Sequence, residues 1–473
     1  MSSGPLLIPP PHWLERLALA GERGRLGAGM GDSVLLRVLR RLTDWFYDRF
    51  RGWIQGSVVA RNAETLSIFA VCLLFLASPF VGTAINAALV LLAFGMVLVR
   101  LLAQPDTRAE FSTLDGLVLG FIAVHVIATG FSPNLVASAK GLAKMVVYWL
   151  AYFSFRQVLQ SRRALFAVLA ALFLAGTLEA AYGVFQWKIG VEPLANWEDP
   201  ETLDPLTRVY STLMNPNLLA GYLLPIFPLA LTAAARWRMP FRLLPAAGLA
   251  VVPLCIYFTY CRSAYVAVVF VLVIFGGMGA WLIRDRLRQS RQLMGGLVLG
   301  VVGVLALAAL RIATSPSLQT RLLSIFTLRG HSSNSFRVNV WEGVLRMVHD
   351  NWLIGVGVGN TAFRKVYSLY MVSGFEALGA YNIWLEVLAE MGVVGLFLFS
   401  WLLVAYLARN AWTYWLGQGE SRWWAVAVLA ALVGMGVMGM VDTVFYRPAV
   451  QLQFWLLLAM TIAISPSRRD PVK

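Results

Sequence analysis

Two arginines lack a carboxylate at obvious pairing distance along the chain: Arg262 in YCRSAY and Arg337 in NSFRVNVWEG. A guanidinium presents a planar fork of donors that suits phosphate or carboxylate, so both read as anion-binding groups. A third, Arg447, follows Asp442 in MVDTVFYRP, and that spacing favours a structural ion pair between them. Glu386 and Glu390 are four apart and share one helical face, which makes them candidate proton acceptors. Asn215 and Asn217 flank Pro216 in STLMNPNLLAGYLLP. The proline fits a first helical turn, and the asparagines either cap that helix or face a substrate. Glu179 and His125 lie inside apolar runs, where an ionisable group is costly and a functional candidate by default. For the lone histidine, packing is the commoner role.

Other motifs are silent. Cys72, Cys255 and Cys261 have neither CxxC nor Cys/His spacing, so no disulfide and no metal are expected. GVGVGN at 355–360 lacks the third glycine of a dinucleotide fingerprint, and its glycines read as a tight turn. No GxxxxGK[ST] is present, and no cofactor is expected.

The elements that must position these groups are apolar helices. The chain has 473 residues, 59% hydrophobic and 13% charged, against about 25% charged in a typical soluble domain. Its mean hydropathy is +0.70. Apolar runs recur at close to the ~20 residues that cross a bilayer. They predict about twelve spans, at 64–82, 84–102, 114–131, 142–158, 164–184, 215–235, 243–261, 263–283, 293–312, 383–407, 423–444 and 449–466. The fold class is therefore all-α: a polytopic membrane helix bundle.

A net charge of +15 would suggest nucleic acid in a soluble protein. Here the arginines fall in alternate gaps between runs, the signature of membrane orientation, and no nucleic acid is implied. One set holds Arg100, Arg156, Arg162, Arg163, Arg236, Arg238, Arg284, Arg286, Arg409 and Arg422. The other holds little beyond Lys140, Lys188, Arg208, Arg262 and Arg447. The rule places the first set and both termini in the cytoplasm, in a bacterial inner membrane.

Four regions follow. Residues 1–63 form a cytoplasmic N-terminal segment, with 1–33 expected to be mobile. Within it, Leu35, Val38, Leu42, Trp45 and Trp53 recur at near-helical spacing beside Arg37, Arg40, Arg41 and Arg51. That pattern fits a basic amphipathic helix lying on the inner leaflet, or one packed on the cytoplasmic loops. Residues 64–312 carry spans 1–9. Residues 313–382 form a long extracytoplasmic loop between spans 9 and 10, and loops of that length tend to be functional. Phe336, Val340, Val344 and Met347 mark one helical face in it, and 361–373 a second helix, so the loop reads as a helical cap. Residues 383–473 hold spans 10–12 and a cytoplasmic tail.

The order of these features resembles the O-antigen ligase and polymerase superfamily. The resemblance rests on NPNLLAGYL at 215–223, CRSA at 261–264, Arg337 and Trp341 as R-x3-W, the GVGVGN turn, and YNIWLEVLAEMGVVG at 381–395. Within that superfamily the chain is most similar to the IctB family, labelled as bicarbonate transporters. The resemblance implies that Arg262 and Arg337 hold a lipid-linked diphosphate; Asn215, Asn217 and Asn382 are further candidates for substrate contact. It implies a catalytic histidine where this chain has Tyr381, followed by Asn382, Leu385 and Glu386. A tyrosine near pKa ~10 is a poor base at neutral pH beside a histidine near ~6.5. Tyr381, Glu386 and Glu390 remain the candidates for that role.

Three readings stand at this point. In the first, an IctB-type protein attracts a small anion such as bicarbonate. In the second, a glycan ligase or polymerase transfers saccharide from a polyprenyl diphosphate with an altered base and no metal. In the third, a non-catalytic scaffold keeps the lipid-diphosphate pocket. The lipid bilayer is a partner in all three.

Overall fold

The computed structural model describes residues 11–19, 34–103, 111–194, 207–316, 319, 323 and 332–466. All regular structure among them is helical. The N-terminal part holds α1 (His12–Leu17), α2 (Val34–Gly56) and α3 (Val58–Arg61). The bundle begins with α4 (Ala63–Ala77), α5 (Thr83–Ala103), α6 (Thr113–Gly130), α7 (Leu135–Val158) and α8 (Arg162–Ile189). It continues through α9 (Pro216–Arg236), α10 (Leu243–Phe258), α11 (Arg262–Leu282), α12 (Arg284–Gln289) and α13 (Arg291–Thr314). Two helices follow outside it, α14 (Ser332–Asp350) and α15 (Asn360–Tyr367). The chain ends with α16 (Ile383–Leu416), α17 (Glu420–Gly439) and α18 (Pro448–Ala463).

A helix stands at each of the twelve expected apolar segments. Seven of them are long and apolar enough to cross a membrane: α5, α6, α8, α9, α11, α16 and α17. The shorter apolar helices α4, α10 and α18 complete ten. Helix α7 is long, yet Lys140, Lys144 and Arg156 interrupt its hydropathy. Proline opens α9 and α18, where the missing N–H costs nothing.

The core is one large apolar cluster contributed by α4–α11 and α16–α18. A smaller cluster joins Val340, Val344 and Met347 of α14 to Val356, Phe363, Tyr367 and Ala389. The helical face expected in the 313–382 loop is thus buried as a separate layer on one end of the bundle, although the second helix ends at Tyr367. Contacts between connections fix which turns share that end. The Thr212 hydroxyl donates to Pro79 O, Arg208 to Thr259 O, and the Ser132 hydroxyl to Val356 O. At the opposite end Arg100 donates to Gln157 O, and Arg422 to Tyr414 O beside Trp281. The arginine-rich connections therefore gather at one end and the arginine-poor ones at the other.

Two sequence expectations change. Within 1–33, helix α1 is ordered against α16: Leu14 packs on Ala408, and Arg409 donates to Leu19 O. The small-xxx-small spacing of Gly296 and Gly300 predicts a helix-packing face, yet an added Cβ at either meets nothing within 4 Å.

The 351–359 segment wedges between two helices. α16 breaks at Gly392 (φ 63°), and a Cβ there would fall 2.2 Å from Leu353 O. On the other side, Gly141 of α7 lies so close that an added Cβ would be 2.1 Å from Val358 O. Backbone cannot yield as a side chain can. Gly141→Ala should lower stability by about 1–3 kcal/mol, seen as an earlier thermal transition in detergent. Gly95→Ala, where a Cβ meets nothing within 4 Å, is the matched control and should leave the transition in place or raise it.

Candidate functional site

The arginine-poor end holds a polar cluster centred on Asp442, in the turn between α17 and α18. Its carboxylate accepts from Asn217 Nδ2 at 2.5 Å and from the Thr443 N–H at 2.8 Å. Arg337 Nη2 lies 3.7 Å away, an ion pair longer than a hydrogen bond. Arg208 extends the cluster, donating to Asn217 Oδ1 and to Thr259 O, both at 3.0 Å. Cys261, which precedes Arg262, is within electrostatic reach of Asp442 and Arg208. Arg262 itself begins α11, partly exposed. Two arginines, Arg337 on α14 and Arg208 from the connection before α9, thus meet around one carboxylate, and Arg262 follows Cys261 beside them.

The R-x3-W motif explains how Arg337 is aimed. Arg337 and Trp341 are one turn apart on α14. Trp341 Nε1 donates to Ala380 O at 2.9 Å, pinning the strand that leads to Tyr381. Tyr381 has φ 50°, a left-handed conformation rare for a non-glycine residue, and its ring meets Phe336 edge-on. Its phenol is within electrostatic reach of Asp442, Arg337 and Glu386. Burial, then the Asp442 charge, pushes its pKa above the usual tyrosine value. Tyr381 is therefore neutral at physiological pH and can donate a proton to a hydrogen bond.

The two glutamates differ. Glu390 Oε1 accepts the Gly359 N–H at 2.8 Å, and its backbone carbonyl accepts from Gly357. It belongs to the glycine wedge. Glu386 is buried, takes a bond from the Ala380 backbone, and leaves Oε2 without a donor among the described residues. Gly355, Gly357 and Gly359 all have positive φ, so only glycine allows the wedge to fit.

The asparagines sit at helix starts. Asn215 Oδ1 accepts from the N–H groups of Asn217 and Leu218, and Asn382 Oδ1 from those of Trp384 and Leu385. Both cap helices that open onto the cluster, and only Asn217 spends its side chain within it. Arg447 does not pair with Asp442 as its spacing suggested. It donates to Leu213 O, while Asp442 turns to residues 225 and 105 positions earlier.

The intramembrane candidates resolve differently. His125 bonds Phe121 O and packs edge-on against Phe121 and Trp149, so it is a packing residue. Glu179 receives the hydroxyl and N–H of Thr212, and its backbone carbonyl accepts from Ser211. Two turns on, Gln186 accepts from the N–H groups of Tyr210 and Ser211. This face of α8 seats the segment that carries Arg208. Sequence reading counted Arg208 only as a charge; the argument applied to Arg262, an arginine on the arginine-poor side, would have singled it out.

The stretch from α10 through the first half of α16 holds Arg262, Arg337, the glycine wedge, Tyr381 and both glutamates. Residues 245–400 match the O-antigen ligase family, Wzy_C. No curated protein matches the chain. The ligase match agrees with the superfamily that the motifs resemble and singles out no IctB character. Arg208, Asn217 and Asp442 lie outside the matched segment, yet they complete the cluster that its Arg337 enters.

Burial holds the Asp442 pKa above the usual aspartate value, against the opposing pull of Arg337 and its hydrogen bonds. The folded state then binds the proton more tightly than the unfolded chain. Its stabilising contribution is full at acid pH and is lost as pH rises through the raised value. Asp442→Asn should therefore unfold like the wild type at acid pH and become the more stable form towards neutrality. Thermal scans across pH check this; a gap opening in favour of Asp442 would mean that pairing outweighs burial.

Proposed function

We propose that this multi-pass membrane protein is an O-antigen ligase-like transferase. It binds a lipid-linked saccharide diphosphate at the Asp442 cluster and passes the saccharide to an acceptor hydroxyl. The observation that carries the reading is the meeting of Arg337 and Arg208 around Asp442, with Arg262 next in sequence to Cys261 at the same end of an apolar bundle. A diphosphate offers oxygens for several guanidinium forks at once. Arg337 is the one most ready to exchange, because its contact with Asp442 is 3.7 Å long.

The chemistry balances without a metal. The acceptor oxygen bonds to the anomeric carbon as the bond from that carbon to the diphosphate breaks, and the arginines stabilise the departing diphosphate. Glu386, with a free carboxylate oxygen, takes the acceptor's proton. Tyr381 donates a hydrogen bond to substrate from the position of the family's histidine. Twelve spans, cytoplasmic termini and a cap on the extracytoplasmic face complete this reading. Bicarbonate carriage is the weaker alternative: secondary transporters place their sites near the middle of the bundle, whereas this cluster sits in the connections.

The test is transfer of a labelled saccharide from a polyprenyl diphosphate by the purified protein in vesicles, with donor binding measured alongside. Arg337→Ala should weaken donor binding about 10- to 100-fold, the range for losing a hydrogen bond to a charged group. Glu386→Gln should keep binding and lose transfer. Binding unchanged by Arg337→Ala removes the proposed site; binding without transfer in the wild type leaves a scaffold.

A further inference from the structure

The lipid-facing side of α7 carries a feature that saccharide transfer does not use. Lys140 and Lys144 are four residues apart and both exposed, while Ser138 and Gly141 of the same turns are buried. Among the described residues neither has a carboxylate partner. Lys140 lies just outside the 142–158 span and Lys144 just inside it, so both ammoniums can reach lipid headgroups, and two on one face call for a counter-charge. The inner face of the same turns grips the glycine wedge, with Ser138 Oγ accepting the Val358 N–H at 2.8 Å. The helix cannot rotate to relieve the lysines.

Beside Lys144 an open cleft runs between α5, α7 and α18. Thr83, Asn86, Ala87, Val90, Val147 and Leu452 line it with Lys144, Tyr148 and Pro448. Its volume of about 40 Å³ is well below that of a small-molecule site, room for a short stretch of acyl chain rather than a whole lipid. The lining residues belong to the first two turns of α5 and α18, so the cleft is level with the end that bears the Asp442 cluster. Lys144 stands nine residues into α7, about 13 Å along its axis. Its stem lies along apolar wall, and its ammonium can rise towards that end.

We propose that this cleft is a binding site for a membrane lipid with an anionic phosphate headgroup, the phosphate held by Lys140 and Lys144 and one acyl chain laid in the cleft. The site goes beyond the transfer reaction and does not rest on it. Charge complementarity and the apolar lining together select a lipid over a soluble anion.

Native mass spectrometry of the full-length protein in detergent tests this, with dioleoylphosphatidylglycerol, dioleoylphosphatidylcholine or inorganic phosphate added. The wild type should retain phosphatidylglycerol preferentially. Lys140→Gln/Lys144→Gln should reduce that preference on the order of tenfold, given what each lysine contributes near anionic lipid. Lys188→Gln, an exposed lysine at the same end of α8, should leave it intact. Ala87→Phe, which fills the cleft, should lower retention while keeping both lysines. An unchanged preference in the double variant, an equal loss in Lys188→Gln, or displacement by millimolar phosphate would each overturn the site. Thermal scans matching the wild type confirm that the variants fold.

Discussion

A single buried carboxylate, Asp442, ties together three segments that lie far apart in the chain. Asn217 at the start of α9, Arg337 on α14 and the turn before α18 all meet on it. Arg208 joins through Asn217. Burying such a group is a poor way to gain stability, because desolvation offsets much of the attraction. What it supplies is geometry. It holds one guanidinium at 3.7 Å, close enough to be placed and too far to be saturated. An incoming anion then exchanges with a weak partner rather than a strong one, and the cost of ordering the arginine is met in advance.

The second constraint is backbone. Within a bilayer every N–H and C=O needs an internal partner, and irregular chain is tolerated only where protein buries it. The glycine wedge is irregular chain of that kind. Val356 and Gly357 donate to the carbonyls of Ala389 and Glu390, Val393 donates to Trp352 O, and Glu390 caps α15. The break of α16 at Gly392 exposes the carbonyls that the wedge consumes, so break and wedge require each other. Glu390 is spent on that union. Glu386, one turn earlier, keeps an oxygen free. Two glutamates on one helical face thus have different work.

Much of the fold was legible in the sequence because hydrophobic periodicity is local. Each apolar segment became a helix, though α7 begins at Leu135 rather than 142 and α16 runs to Leu416 rather than 407. Val340, Val344 and Met347 became the buried face of α14, with Phe336 half-buried beside them. The site was legible in part. Arg262 and Arg337 stood out because they oppose the charge bias. The partner of Arg337 did not, since Asp442 is 105 positions away and its near neighbour Arg447 offered a simpler pairing. Arg208 was counted only as one charge in the balance between the two sets of gaps. Asn215 and Asn382 illustrate another limit: capping and substrate contact call for the same side chain at the same helix start, and only bond geometry separates them. Residues such as His331 and the acidic stretch from Glu198 to Asp204 lie outside the described residues.

Tyr381 bears most directly on mechanism. Its phenol is held neutral by burial and by the neighbouring Asp442 charge, the reverse of what a general base needs. The same environment makes it a good hydrogen-bond donor, aimed into a cluster that otherwise presents guanidinium and amide groups. A donor there can hold a substrate oxygen but cannot take a proton from it. Transfer from a diphosphate eases the demand, because the arginines stabilise the departing charge and no acid has to protonate the leaving group. Only the incoming hydroxyl then needs an acceptor. Among the groups within electrostatic reach of Tyr381, Asp442 is already committed to Asn217 and Thr443, which leaves Glu386, whose buried Oε2 has no donor among the described residues. In the proposed transfer, the proton that the family's histidine would take therefore goes one turn into α16, to a carboxyl that the same helix start presents.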